Sequence, residues 1–227
     1  VIPLKDNNPT KSFPFVTIIL IAVNAVVFFY QLSLGDVRGK VFVFTYGAIP
    51  YELMNSINLP LTPYIPNTAT VFTSMFLHGG LFHLGGNMLY LWIFGNNIED
   101  SMGHIKFVVF YVICGIAAVF AHTMVNPGSK LPMIGASGAI AGVLGAYILL
   151  FPRARVLTLI PLGFFIRIIE IPALIVIGFW IVIQFLSGAM SVGVVGGGIA
   201  YFAHIGGFLS GFALIGLFKK RGVKFFK

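Results

Sequence analysis

Ser137 is the lone hydroxyl in Gly135-Ala136-Ser137-Gly138-Ala139-Ile140-Ala141-Gly142, a run of small and apolar residues that opens a hydrophobic helix. A serine hydroxyl is a weak nucleophile and attacks a carbonyl only beside a base. His204 is the candidate base, because imidazole exchanges protons near neutral pH without special tuning. His83 and Asn87 stand at i and i+4, on one helix face, and offer side-chain N–H donors to an oxyanion. A full triad would add a carboxylate on the imidazole. None is placed to do so: Glu99 and Asp100 lie about 18 Å further along the helix by its rise. Asp36 and Glu52 fall in a connecting segment with no argument for either. The chemistry is therefore acyl transfer by a Ser137–His204 dyad. The oxyanion would meet the Ser137 backbone N–H, free at a helix start, together with Asn87 and His83. Such donors contribute about 3–4 kcal/mol each in acyl-transfer sites.

Each of these residues also has a plainer reading. Gly138-xxx-Gly142 is the spacing by which membrane helices approach closely. His204 alone could hold a backbone carbonyl, and His83 with Asn87 could glue two helices together. What favours a site is their convergence at one depth, which depends on the elements that carry them.

Those elements lie in a lipid-soluble chain. Of 227 residues, 58% are hydrophobic and 9% charged, with a mean hydropathy of +0.99. This is the composition of an integral membrane protein with no soluble domain appended. A net charge of +8 would suggest nucleic acid in a soluble protein, but here the bases flank hydrophobic runs and set topology instead. One cysteine, Cys114, excludes an internal disulfide. There is no His-Glu-x-x-His and no zinc-ligand spacing, so neither metal nor cofactor is expected.

The hydropathy pattern predicts an all-α, polytopic, single-domain bundle over 1–227. Its six spans fall near 13–34, 81–97, 107–124, 137–151, 173–186 and 199–218. Gly35–Val71 is too long and too apolar for a solvated loop, and reads as a partly embedded segment with short helices. Arg153–Ile171 reads as an apolar connection at the interface, and Ser187–Gly198 as a glycine-rich loop beside a loosely packed fifth span. The helix from Ser137 to Phe151 rises only ~21 Å, against a hydrocarbon core of ~30 Å. Ser137 must then lie below one face, and the backbone from Asn126 to Pro132 must dip inward against protein or water.

Six spans put both termini on one side. Lys5, Lys11, Lys106, Arg153, Arg155, Arg167, Lys219, Lys220, Arg221, Lys224 and Lys227 fall there, against Arg38, Lys40 and Lys130 opposite. The positive-inside rule makes that side cytoplasmic, and a prokaryotic inner membrane is the expected location. Spans two, four and six then all enter from outside. Ser137, His204, His83 and Asn87 share one depth near the outer face. Ionisable groups inside spans usually face a cavity and mark function.

His83-Leu84-Gly85-Gly86-Asn87, Gly135-Ala136-Ser137-Gly138 and Ala203-His204-Ile205-Gly206-Gly207 together resemble the signatures of the rhomboid intramembrane serine proteases, in order and in spacing. Glu99-xxx-Gly103 looks like that family's turn after the second span. The resemblance implies cleavage of single-span membrane substrates near their outer ends, with lipid and substrate helix as the partners and no nucleic acid. It implies the dyad at Ser137 and His204, oxyanion donors at His83 and Asn87, and close helix packing at Gly135, Gly138, Gly207 and Gly211. A catalytically silent relative that only binds membrane helices is the alternative, as is a small transporter, for which no inverted repeat is visible. Two features depart from some members: Ala141 stands where an aromatic stacks on the histidine, and the first loop lacks a tryptophan–arginine pair. They bear on how His204 is oriented and how the first loop is anchored.

Overall fold

The computed structural model describes residues 1–59, 65–163, 165–191 and 199–227. It is mostly helical, as the hydropathy predicts. In chain order the elements are β1 (Ile2–Asp6), α1 (Phe15–Ser33), α2 (Gly35–Tyr46), α3 (Pro50–Asn55), α4 (Asn67–Thr73), α5 (Leu81–Tyr90), α6 (Asn96–Met102), α7 (His104–Val125), α8 (Ser137–Leu150), β2 (Arg155–Leu162), β3 (Phe165–Pro172), α9 (Ala173–Ser191) and α10 (Tyr201–Phe218). Among the described residues, four helices are long and apolar enough to cross a membrane: α1, α7, α9 and α10. α8 is a shorter apolar helix at the centre, packed against α7 and α10. Its residues from Gly138 to Tyr147 are all buried. Apolar residues on the outer helices face outward instead, among them Val26, Phe120, Leu186 and Leu217.

Small residues set the depth of packing around α8. A Cβ on Gly207 of α10 would overlap the carbonyl oxygen of Gly138, and one on Gly211 would overlap that of Gly142. The two backbones therefore touch without side chains between them, the arrangement that small residues permit in lipid.

The second span differs from its expected end at Asn97. α5 and α6 are joined without a break by a π-helical segment, Leu91–Gly95, and the run continues to Met102. Its charged end is not solvated. Glu99 is fully buried, and its carboxylate accepts the N–H groups of Val16 (2.9 Å) and Thr17 (2.8 Å) at the start of α1. Asp100 accepts those of Lys11 (3.0 Å) and Ser12 (3.1 Å). The Glu99 carboxylate thus satisfies orphan donors at the positive pole of α1, and Asp100 holds the backbone leading into it.

The first connection contains three short helices, as expected of an embedded segment. Arg153–Ile171, expected as an apolar connection at the interface with no strands assigned, contains the hairpin β2–β3. β1 adds to it, giving an antiparallel sheet ordered β1-β2-β3. Hydrogen-bonded strands satisfy the backbone of this apolar stretch better than a loop would. The sheet also ties the N-terminus to α8: the Tyr147 hydroxyl donates to Asp6 of β1 (2.5 Å). Burial is the largest influence on that carboxyl and holds it above the usual aspartate range, partly offset by Tyr147. At the same end of α8, the N–H groups of Phe226 and Lys227 donate to the carbonyls of Leu149 and Leu150. Both termini thus meet the C-terminal end of α8.

The fifth helix also runs longer than expected. α9 continues through Ser187 to Ser191, and its Gly188 lies against α10, where an added Cβ would be 3.4 Å from that of Tyr201. The rest of the expected glycine-rich loop, 192–198, lies outside the described residues.

Candidate active site

α8 begins at Ser137 because the chain before it is pinned in an extended path. Met133 pairs with Ala48 through two backbone bonds, Ala48 N–H to Met133 (3.1 Å) and Met133 N–H to Ala48 (2.8 Å). The Gly135 N–H donates to the Ser74 carbonyl (2.9 Å). Non-helical backbone at depth needs such protein partners, and the first connection supplies them. Gly135 then turns the chain with φ +126°, a conformation that favours glycine. The helix starting there leaves its first N–H groups, those of Ser137 and Gly138, without intrahelical partners.

Ser137 and His204 are brought together as expected. The Ser137 Oγ lies 2.8 Å from His204 Nε2. The close backbone contact of α8 and α10 beside the pair fixes this approach, since Gly138 adjoins Ser137 and Gly207 lies just under one turn after His204. Both side chains are half-buried. A recess of about 20 Å³ adjoins Ser137, lined by Ser74, Met133, Gly135, Ala200 and Ala203. That is room for about one water-sized molecule.

His83 is placed on the other side of the serine. A Cβ on Gly135 would sit 2.8 Å from His83 Nε2 and 3.5 Å from Ser137 Oγ, so both atoms border the same point. His83 Nδ1 accepts the Gly79 N–H (3.3 Å). In neutral imidazole the proton then resides on Nε2, which faces Gly135 as a donor. Asn87 is buried and engaged: its Nδ2 lies 2.9 Å from His78 Nε2. One of its two amide hydrogens is used there and the other remains.

Three residues near the site carry no clear signal in the sequence. His78 is wholly buried, edge-on to His83 with ring centroids 5.0 Å apart. Burial first, and then His83, push its imidazole down to about 4, so it is neutral. Gln184 of α9 places its Oε1 2.7 Å from His204 Nδ1. Trp180, one turn earlier on α9, lies against the same imidazole with ring centroids 5.6 Å apart and planes at 36°. A lone glutamine in an apolar span is a hint of an inward-facing position, but its partner depends on how α9 meets α10. The aromatic missing at Ala141 is thus supplied in space by Trp180.

A family model for the rhomboid domain matches residues 66–221. That interval contains His83, Asn87, Ser137 and His204. Rhomboid protein 1, mitochondrial, of Saccharomyces cerevisiae is 31% identical over 156 residues, covering 65% of this chain and 41% of its own length. RHOMBOID-like protein 1 of Arabidopsis thaliana is 29% identical over 167 residues, covering 74% of this chain and 39% of its own length. The human presenilin-associated rhomboid-like protein, mitochondrial, is 37% identical over 84 residues, covering 36% of this chain and 22% of its own length. The chain matches about two fifths or less of the length of these relatives.

Proposed function

The chain belongs to the rhomboid family, and from that premise we propose that it is an intramembrane serine endopeptidase that cleaves single-span membrane proteins near their outer ends. The observation that carries this reading is the 2.8 Å contact of Ser137 Oγ with His204 Nε2 at a helix start. His204 accepts the hydroxyl proton as Oγ attacks the scissile carbonyl. Negative charge develops on the former carbonyl oxygen. The Ser137 N–H, His83 Nε2–H and the free hydrogen of Asn87 are the donors available to it. His204 then returns its proton to the leaving amine, and the acyl-serine remains. A water entering the recess, deprotonated by His204, attacks the acyl carbon; the acyl–Oγ bond breaks, His204 returns the proton to Ser137 Oγ, and the new carboxyl product leaves.

The six-span topology is part of this proposal. It counts α5 to α6 as one crossing and α8 as a short one, beside the four long helices. The distribution of basic residues supports cytoplasmic termini. A prokaryotic inner membrane is the proposed location; the charge pattern orients the chain without fixing the kind of membrane, and two of the three relatives above are mitochondrial by name.

A serine-directed fluorophosphonate tests the reading. The purified protein in bilayers should be labelled at Ser137 and should cut a transmembrane substrate. The Ser137→Ala variant should do neither. A folded wild-type protein that is unlabelled and inert would instead be a silent, helix-binding relative.

A further inference from the structure

The dyad lacks a carboxylate, yet a base in a Ser–His pair works only when its proton sits on the far nitrogen. Neutral imidazole has two tautomers, and only the Nδ1–H form leaves Nε2 free to take the serine proton. On the far side of His204, Gln184 Oε1 lies 2.7 Å from Nδ1. The amide's own orientation is set by α9: its Nε2 donates to the Trp180 carbonyl one turn back, at 3.4 Å. Turned over, the amide would face oxygen to oxygen at Trp180, so Oε1 is the atom presented to the histidine. An oxygen acceptor accepts only from a protonated Nδ1.

We propose that Gln184 is the positioning residue of the catalytic base, the third member of a Trp180–Gln184–His204–Ser137 chain of contacts. It selects the Nδ1–H tautomer and aims Nε2 at Ser137. The inference rests on the protease reading above. A neutral amide suits the location: Gln184 is buried in an apolar helix, where an ionised carboxylate would be costly to desolvate. An amide acceptor fills the same role in papain-like cysteine proteases. Trp180 closes the other side, limiting rotation of the imidazole about its Cβ–Cγ bond. Support for the base therefore comes from α9, a helix that carries neither member of the dyad.

The test uses the full chain in bilayer nanodiscs. Gln184→Met keeps length and volume and removes the acceptor. Three quantities are read: the rate of fluorophosphonate labelling at Ser137, kcat and KM on a transmembrane substrate, and the 15N NMR signature that tells Nδ1–H from Nε2–H at His204. In the wild type the Nδ1–H form is expected. In Gln184→Met, labelling and kcat should fall about tenfold to a hundredfold, with KM little changed and Nε2–H signal appearing. Gln184→Glu restores an acceptor. It should label faster than Gln184→Met. Gln184→Met that labels at the wild-type rate, or wild-type His204 with its proton on Nε2, overturns the role of Gln184. The wild-type NMR result decides alone should Gln184→Met fail to fold. Wild-type protein that neither labels nor cleaves sinks the protease reading itself, a different and separable result.

Discussion

Replacing Gly207 with alanine should inactivate the protein while adding one methyl group and touching no reacting atom. The new Cβ would overlap the Gly138 carbonyl oxygen, lie 2.9 Å from the Gly138 carbonyl carbon, and lie 3.4 Å from Ala141 Cβ. The obstacle is helix backbone, which cannot rotate away as a side-chain end would. Ordinary carbon–oxygen contact needs roughly 3.3 Å or more, so α10 must withdraw from α8 by more than about 1 Å locally. Gly138 adjoins Ser137, and Gly207 lies three residues, just under one turn, after His204. The 2.8 Å bond of the dyad would stretch towards 4 Å, beyond hydrogen bonding. A displacement near 1 Å can cost about a hundredfold in rate, and overpacking costs about 1–3 kcal/mol in stability. The assay pairs kcat/KM and Ser137 labelling in bilayers with a thermal midpoint, so that loss of rate is separated from unfolding. Gly216→Ala on the same helix is the control, since its Cβ meets nothing closer than Phe225 at 3.7 Å. Its rate should stay within about twofold of wild type. Gly207→Ala with wild-type kcat/KM would refute the claim that backbone contact of α8 and α10 sets the dyad.

Ser137→Ala and His204→Ala should each abolish proteolysis in a folded protein, because two residues share the whole acid–base task; normal cleavage by purified Ser137→Ala would sink the dyad. Asn87→Ala should lower kcat by about tenfold to a hundredfold, less than either dyad variant, since the oxyanion keeps other donors; a rise in KM at constant kcat would make Asn87 a substrate-binding residue instead. Substrate entry should pass beside α9, whose Phe179, Val182, Leu186 and Met190 face outward with little small-residue glue. A pair of cysteines bridging α5 and α9, in a Cys114→Ser background, should close this lateral path once crosslinked. Closed, it should block cleavage of a transmembrane substrate and spare a soluble peptide; unchanged cleavage of the transmembrane substrate would exclude entry there.

Much of the site is legible in the chain because its parts lie inside short motifs with local causes. Ser137 opens a helix because glycine and extended backbone precede it, and a long apolar composition places that helix in lipid whatever its neighbours. Glycines spaced for close approach lie beside both Ser137 and His204, so the meeting of α8 and α10 is foreshadowed by residue size alone. Other features depend on contacts between distant segments, which no local pattern encodes. β1 pairs with β2 some 150 residues later, and strands apolar on both faces show no alternation to announce a sheet. The charges of Glu99 and Asp100 look like the end of a helix until the start of α1 arrives to be capped by them. The orientation of His204 is the clearest case. Ala141 removes the expected ring from α8, and the substitute contacts, Gln184 and Trp180, stand 20 and 24 residues before the histidine on another helix. Only the packing of α9 on α10 decides that a glutamine amide, and not water or a carboxylate, faces Nδ1, because a hydrogen bond between helices requires their rotation and register to be set together.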